Sequence, residues 1–403
     1  MENIFSRKNL SQFSILMAFI VILRSAEPWF LWGDTMAYNM AILMFLGCRV
    51  LLMKKISSRV VVFFLFLYLF YVWIGVYQAS RLLGLLTSLL KRFLPLLFIF
   101  MMTRAEHIRL KTITINVFSL IILVSLVAYI LMLCGFHLPY VQLNHPLNTW
   151  YPPFLNYYFF VTELNVGEYL RFRSVFTEPG HLGMFCALFL YINGYSLRKP
   201  QNVILLVALI LSLSLAAYVL LVVGWFIYSV MLGVSWRKLA NMLLVGAFFV
   251  GAGWLYLSSR SGEVLQTLIL DRLTYDEKKG LKGNNRNTYD FTRVYNLLST
   301  SEYLVGKGSD YMKDRFGSTA NSSYRNFIMT NGLIGLILMH ALFLSVVYVF
   351  PSRLAFGLFL LYAVSFVQRP YWLWEVESYM YLCAVVLFYY ETIAVRRGSL
   401  SRT

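Results

Sequence analysis

The chain has 403 residues, of which 59% are hydrophobic and only 13% charged, against roughly 45–50% and 25% in soluble domains. Such a chain folded in water would expose more apolar surface than its polar groups could cover; this excludes a soluble globular protein and points to helices with lipid as the solvent of their outer faces. The net charge of +17 comes without a basic helix face or a nucleic-acid module. Nucleic acid is therefore set aside as a partner, and the charge reads as setting topology and meeting anionic membrane lipids or an anionic substrate.

Apolar runs and their breaks predict an all-α polytopic membrane protein, a single integral domain over 1–403 with about twelve transmembrane helices. They centre on 10–31, 36–53, 60–78, 84–103, 113–135, 175–197, 202–215, 217–235, 239–257, 323–349, 354–369 and 378–395. The first run, Leu10–Leu23, follows Arg7 and Lys8 without a small-residue cleavage site and reads as a signal anchor and first span. The fourth carries Lys91 and Arg92 near its middle, which fits either a span or an interfacial helix followed by a short span. The stretch 202–235 is too long for one helix and short for two, since a span takes about 20 residues; it is divided near Ser214–Ala217. Cys48, Cys134, Cys186 and Cys383 lie in apolar segments with no CxxC pair, so they read as small buried hydrophobes and no metal site is expected.

With this count, the basic groups of the short loops all fall on one side. They are Arg7/Lys8, Arg49/Lys54/Lys55/Arg59, Arg104/Arg109/Lys111, Arg198/Lys199, Arg237/Lys238, Arg353 and Arg396/Arg397/Arg402. The positive-inside rule makes that side, and both termini, cytoplasmic. Two long loops, 136–174 and 258–322, then lie outside. The first is rich in aromatics and Pro, and the second is the most polar part of the chain.

Two segments carry the residues for chemistry. At the end of the first long loop stands Arg171-Phe-Arg173-Ser-Val-Phe-Thr-Glu178-Pro179-Gly180-His181. Pro179 suits a first helical turn, which puts Glu178 at the N-terminus and His181 on the same side. This is either an anion-binding arginine pair beside a carboxylate base, or a helix cap with interfacial arginines. At the end of the second loop stand Arg293, Gly306-Lys307-Gly308-Ser309, Arg315, Asn321-Ser322-Ser323-Tyr324-Arg325 and Gly332/Gly335. The glycines suit a tight turn and close helix packing, and the Asn and serines suit a helix cap; the spacing is not that of a P-loop. Arg24 and Glu27 fit a simple i,i+3 pair, and His340 reads as packing. Arg369, Glu375 and Glu377 flank Trp372 and Trp374, which read as interfacial anchors.

The layout, the R-x-R…EPG segment entering a span after the first loop, and the G-x-G turn with a polar cap and Gly-containing span after the second resemble the Wzy-type O-antigen and capsular polysaccharide polymerases, which share a superfamily with the O-antigen ligases. The resemblance implies a GT-C-like membrane glycosyltransferase with two large periplasmic loops in the bacterial inner membrane. It implies metal-independent, cofactor-free inverting transfer that joins undecaprenyl-pyrophosphate-linked oligosaccharides into O-antigen, capsule or exopolysaccharide, with a separate chain-length regulator protein as partner. It makes Arg171, Arg173, Arg293, Arg315 and Arg325 candidates for the substrate pyrophosphate, Glu178 the first and His181 the second choice of general base, and Arg293 catalytic by stabilising the leaving group. The ligase branch carries a functional His where this chain has Asn321-Ser322-Ser323, which favours polymerase over ligase. A flippase for lipid-linked oligosaccharides is the alternative from another class.

Overall fold

The computed structural model describes residues 6–32, 35–53, 56–78, 82–144, 153–163, 171–235, 237, 275–276, 280–281, 288–316, 323–368 and 375–400. These are mostly helical. A helix occupies every predicted apolar run except 239–257, which lies outside the described residues. By length and apolarity four helical stretches are candidates to cross a membrane: Ser58–Gly75, Arg104–Leu133, Tyr324–Val349 and Val376–Val395. Shorter apolar helices span Met36–Leu52, Pro200–Leu211, Leu215–Met231 and Arg353–Val367. Three of the cysteines are buried as expected, but Cys134, just past the end of its helix, is exposed.

The chain divides into two compact units. The first comprises Met1–Phe118 and Tyr289–Thr403. It holds α1 (Arg7–Ser25), α2 (Thr35–Leu52), α3 (Ser58–Gln78), α4 (Leu82–Ser88), α5 (Leu94–Phe100) and the first half of α6 (Arg104–Leu133). After residue 288 it holds α10 (Tyr289–Asn296), α11 (Thr300–Val305), α12 (Gly308–Phe316), α13 (Tyr324–Val349), α14 (Arg353–Gln368) and α15 (Val376–Leu400). A π turn, Leu89–Phe93, joins α4 to α5 and carries Lys91 and Arg92.

The basic residues of this unit's short loops meet at one end. Arg49 and Glu106 form a buried ion pair of 2.8 Å, and Glu106 also accepts from the Ser11 hydroxyl and the Thr103 N–H, each at 2.7 Å. A buried pair is tolerable only when its remaining valences are met in this way. Arg59 donates to the Tyr389 hydroxyl at 2.9 Å and lies over Phe350, and Arg104 lies over Tyr390. The start of α3 therefore sits beside Phe350, which follows α13, and Tyr389 of α15.

At the other end of α3 the chain does something the hydropathy pattern does not announce. Inside α13, Gly332 leaves the helical region, with φ 72° and ψ 172°. A break in an apolar helix frees carbonyls that lipid cannot satisfy. Here the Lys307 N–H donates to Met329 O at 2.7 Å, and the Trp73 indole donates to Asn331 O at 2.8 Å. The turn at Gly306 (φ 87°) fits into the break so closely that a Cβ on Gly332 would overlap the Leu304 carbonyl oxygen, and one on Gly306 the Thr330 carbonyl oxygen. Helices α10 and α12 complete this layer on α13 through the buried side chains Phe291, Met312, Phe316 and Met329.

The second unit, Ser119–Thr288, holds the rest of α6, strands β1 (Val141–Leu143), β2 (Phe154–Tyr157) and β3 (Phe160–Glu163), helices α7 (Pro179–Asn193), α8 (Pro200–Leu211) and α9 (Leu215–Met231), and a two-stranded β4 (Tyr275–Asp276) and β5 (Gly280–Leu281). The sheets are an addition to the all-α expectation. Strands β1, β2 and β3 form an antiparallel meander, with Asn156 opposite Val161. Helix α7 is buried along nearly its whole length and packs on α8 and α9. Gly183 allows this, because a Cβ there would lie 2.5 Å from the Ala217 Cβ. The division of 202–235 falls at Ser212–Ser214, close to where it was expected.

Gly332→Ala should cost about 2–3 kcal/mol, from the left-handed φ and the overlap with Leu304. Gly47→Ala, where a Cβ meets nothing within 4 Å, should leave stability unchanged. Thermal melts of both variants in detergent check this, and equal melting points would contradict the packing described.

Candidate functional site

In the second unit, the segment 171–181 is built around Phe172. Its ring is fully buried, stacked on Phe160 at 5.8 Å and met by Tyr129 at 5.2 Å. The Phe172 N–H donates to Leu211 O, and the Val161 N–H to Ser174 O. The flanking arginines hold backbone. Arg171 donates from Nε to Ser212 O (3.1 Å) and from Nη2 to Leu213 O (2.9 Å), which satisfies carbonyls at the C-terminus of α8. Arg173 donates from Nη1 to Glu163 Oε1 (2.7 Å) and to Thr177 O (2.9 Å). Its Nε is buried with no partner among the described residues. Glu163, on β3, is a partner the sequence reading missed, since nothing in the spacing of the two residues reveals the hairpin between them.

Pro179 takes the first turn of α7 and Glu178 the N-cap position, as expected, but the Glu178 carboxylate does not cap the helix. His181 sits in that turn, edge-on to Phe176 at 5.0 Å. The structure thus gives Arg171 and Arg173 clamping contacts and leaves the cap reading of Glu178 unrealised.

In the first unit, the candidates lie on the layer formed by α10, α11, α12 and the start of α13. Arg293 is exposed on α10. Arg315 pairs with Asp290 at 3.1 Å, and both side chains are about half exposed, so the pair is worth little, roughly 0–1 kcal/mol. Arg325 lies over Tyr295 at 5.4 Å and over Tyr324 at 6.0 Å, and Tyr303 meets Tyr295 edge-on at 6.2 Å. Burial, and then a hydrogen bond with Tyr303, pushes the Tyr295 phenol up, so it stays a neutral hydrogen-bonding group at physiological pH. Asp290, Glu302, Asp310 and Asp314 interleave with the layer's basic residues. Arg293 and Arg325 are therefore set apart, with no carboxylate partner among the described residues.

Glu302 closes a capping box with Ser299 at the start of α11 and pairs with Lys307, whose ammonium also lies over Tyr311 at 4.7 Å. Ser323 takes the N-cap position of α13 without a side-chain cap bond. Arg24 and Glu27 pair loosely at 4.0 Å. His340 bonds to Leu336 O and packs on Phe366, as read. Asn321, Ser322, Arg369, Trp372, Trp374 and Trp150 lie outside the described residues, as do the basic residues between 258 and 287.

Comparison with protein-family models, with curated proteins and with solved structures finds no match for this chain.

The Lys307 ammonium and the Ser299 donors pull the Glu302 carboxyl from 4.5 down to about 2. A depressed carboxyl stabilises the fold above its unfolded pKa, and that contribution is lost as pH falls from about 4.5 towards 2. Glu302→Gln should therefore melt below wild type at pH 6, and the gap should close near pH 2. A gap that persists at the acid end would mean that charge is not its cause.

Proposed function

We propose that this protein is a membrane-embedded glycosyltransferase that joins lipid-pyrophosphate-linked oligosaccharide repeat units into a polysaccharide. One observation carries the reading. Two arginines without a carboxylate partner among the described residues, Arg293 and Arg325, stand with Tyr295, Tyr303 and Tyr324 on a folded loop layer at the end of apolar helices. Cations suit a pyrophosphate, tyrosine rings suit sugars, and apolar helices suit a polyprenyl tail. In the proposed step, the bond from the sugar's anomeric carbon to the pyrophosphate oxygen breaks, and a bond from that carbon to an acceptor hydroxyl forms with inversion. The electron pair leaves with the pyrophosphate, where arginine stabilises it, and the hydroxyl proton goes to a general base, the role that the superfamily resemblance gives first to Glu178 and second to His181. The superfamily resemblance supplies the choice of carrier, an undecaprenyl pyrophosphate, and of the periplasmic face of the inner membrane.

A flippase is the second reading, and the interruption of α13 at Gly332 favours it, since transporters use broken helices to bind substrates. Against it, the Met329 and Asn331 carbonyls at this break already accept from Lys307 and Trp73. A strain lacking the protein separates the readings. A polymerase predicts single lipid-linked repeat units accumulating outside the membrane, a flippase predicts them trapped inside, and a ligase predicts full-length chains left on the carrier.

Arg293→Ala is the sharper of the arginine tests, because its side chain is exposed and holds no ion pair among the described residues. It should reduce chain growth at least about a hundredfold, at unchanged melting point. Arg173→Ala should lose activity and stability together. Glu178→Gln tests the base separately, and a fully active variant would move that role to His181. Normal polymer from Arg293→Ala would remove the electrostatic step proposed here.

A further inference from the structure

At the basic end of the first unit, the candidate spans meet around an aromatic cluster. Ser58–Gly75 and Arg104–Leu133 begin there, Tyr324–Val349 ends just before Phe350, and Tyr389 and Tyr390 lie in the last turns of Val376–Val395. Phe350 is buried and meets Tyr389 at 5.4 Å and Tyr390 at 6.5 Å, and the two tyrosines meet at 5.5 Å. Two guanidinium groups rest on this cluster. Arg59 lies 5.2 Å from the ring centroids of both Phe350 and Tyr389, and Arg104 lies 5.5 Å from that of Tyr390. Both residues are exposed.

This placement runs against the ordinary electrostatics of helices. Arg59 is in the first turn of α3 and Arg104 opens α6, yet a helix N-terminus carries partial positive charge and favours anions. Helix α3 has no acid in its first turn. Helix α6 has Glu106, but that carboxylate is already occupied by Arg49, Ser11 and Thr103. Neither Arg59 nor Arg104 makes an ion pair among the described residues, and Glu391, next along the chain from Tyr390, is exposed and pairs with neither. Arg353 repeats the pattern. It opens α14, which has no acid in its first turn, it is exposed, and the 3.1 Å hydrogen bond between Ser352 and Thr392 ties that turn to α15. Three cations at three helix starts thus concentrate positive charge on one area, with no protein anion opposite them among the described residues. Of the N–H donors of Arg59 only one is used, from Nη2 to the Tyr389 hydroxyl at 2.9 Å. The Tyr389 oxygen accepts that bond, so its own O–H proton is left to donate.

Depth indicates what kind of anion. Lipid headgroups lie where spans end, and tyrosines gather at that level. An arginine fork matches a phosphate, and a ring beneath it holds it in place without using its donors. We infer that this surface binds the phosphate of an anionic lipid headgroup, held between Arg59 and Arg104, with the Tyr389 hydroxyl as a further donor and Arg353 beside it. The inference does not depend on the reaction proposed above, because none of these residues takes part in it.

The test reads the arginines themselves. Full-length protein in detergent is treated with an arginine-selective dicarbonyl reagent, and modification of Arg59 and Arg104 is followed by peptide mass spectrometry. Arg198, exposed in the turn before α8 and over no ring among the described residues, is the reference. Phosphatidylglycerol should slow labelling of Arg59 and Arg104 at least about tenfold and leave Arg198 unchanged, and zwitterionic phosphatidylcholine should protect none of them. One shared headgroup makes the two arginines interdependent. Arg59→Gln should therefore raise the phosphatidylglycerol concentration that half-protects Arg104 by about tenfold, the loss of one charged hydrogen-bonding partner, and Arg104→Gln should do the same for Arg59. Arg59→Lys keeps the charge and should lose less than Arg59→Gln. Inorganic phosphate separates the sources: protection by the lipid where phosphate gives none supports a headgroup, whereas equal protection by both overturns the lipid assignment. Equal protection of Arg198, equal protection by phosphatidylcholine, or half-protection that neither glutamine variant moves in protein that melts normally overturns the site.

Discussion

A helix that breaks among apolar neighbours leaves carbonyl groups with nothing to accept from, and closing the break at Gly332 organises much of the first unit. The turn at Gly306 closes it backbone against backbone, with Lys307 and Trp73 taking the freed carbonyls. That contact requires glycine on both sides, so two residues from distant parts of the pattern are constrained together. It also fixes α11, and through the buried Phe291, Met312, Phe316 and Met329 it seats α10 and α12 on α13. Arg293, Arg325 and their tyrosines are carried on this layer. Rigidity there comes from main-chain fit as well as side-chain burial, which is a sound basis for holding cations in a set geometry.

Helix positions were legible in the sequence because lipid imposes a simple rule: an apolar run of about 20 residues with every backbone bond made internally. In the fourth run, Lys91 and Arg92 fall where the regular helix gives way to a π turn. The hairpin of β2 and β3 was not legible. Tyr158 and Phe159 make its two-residue turn with φ of 50° and 67°, where Asn-Gly would have signalled a turn requiring left-handed backbone. The break at Gly332 was equally hidden, because a glycine in a span reads first as a close-packing site.

The candidate residues divide along the same lines. Spacing correctly placed Pro179 in a first turn with Glu178 before it, since both follow from local backbone rules. Spacing could not show that Arg171 holds the end of α8 or that Arg173 meets Glu163, because those partners depend on how loops fold back. The clamping contacts shift the weight of the proposed leaving-group stabilisation towards Arg293 and Arg325. They leave Arg173 a positioning role for the entrance to α7, where Glu178 and His181 sit.

The most direct measurement of the proposed activity uses purified protein in liposomes, supplied only with undecaprenyl-pyrophosphate repeat units, with the products resolved on a gel. A ladder spaced by one repeat, formed without nucleotide sugar, is the predicted result. Folded protein that leaves the repeat units unjoined under these conditions would contradict the account.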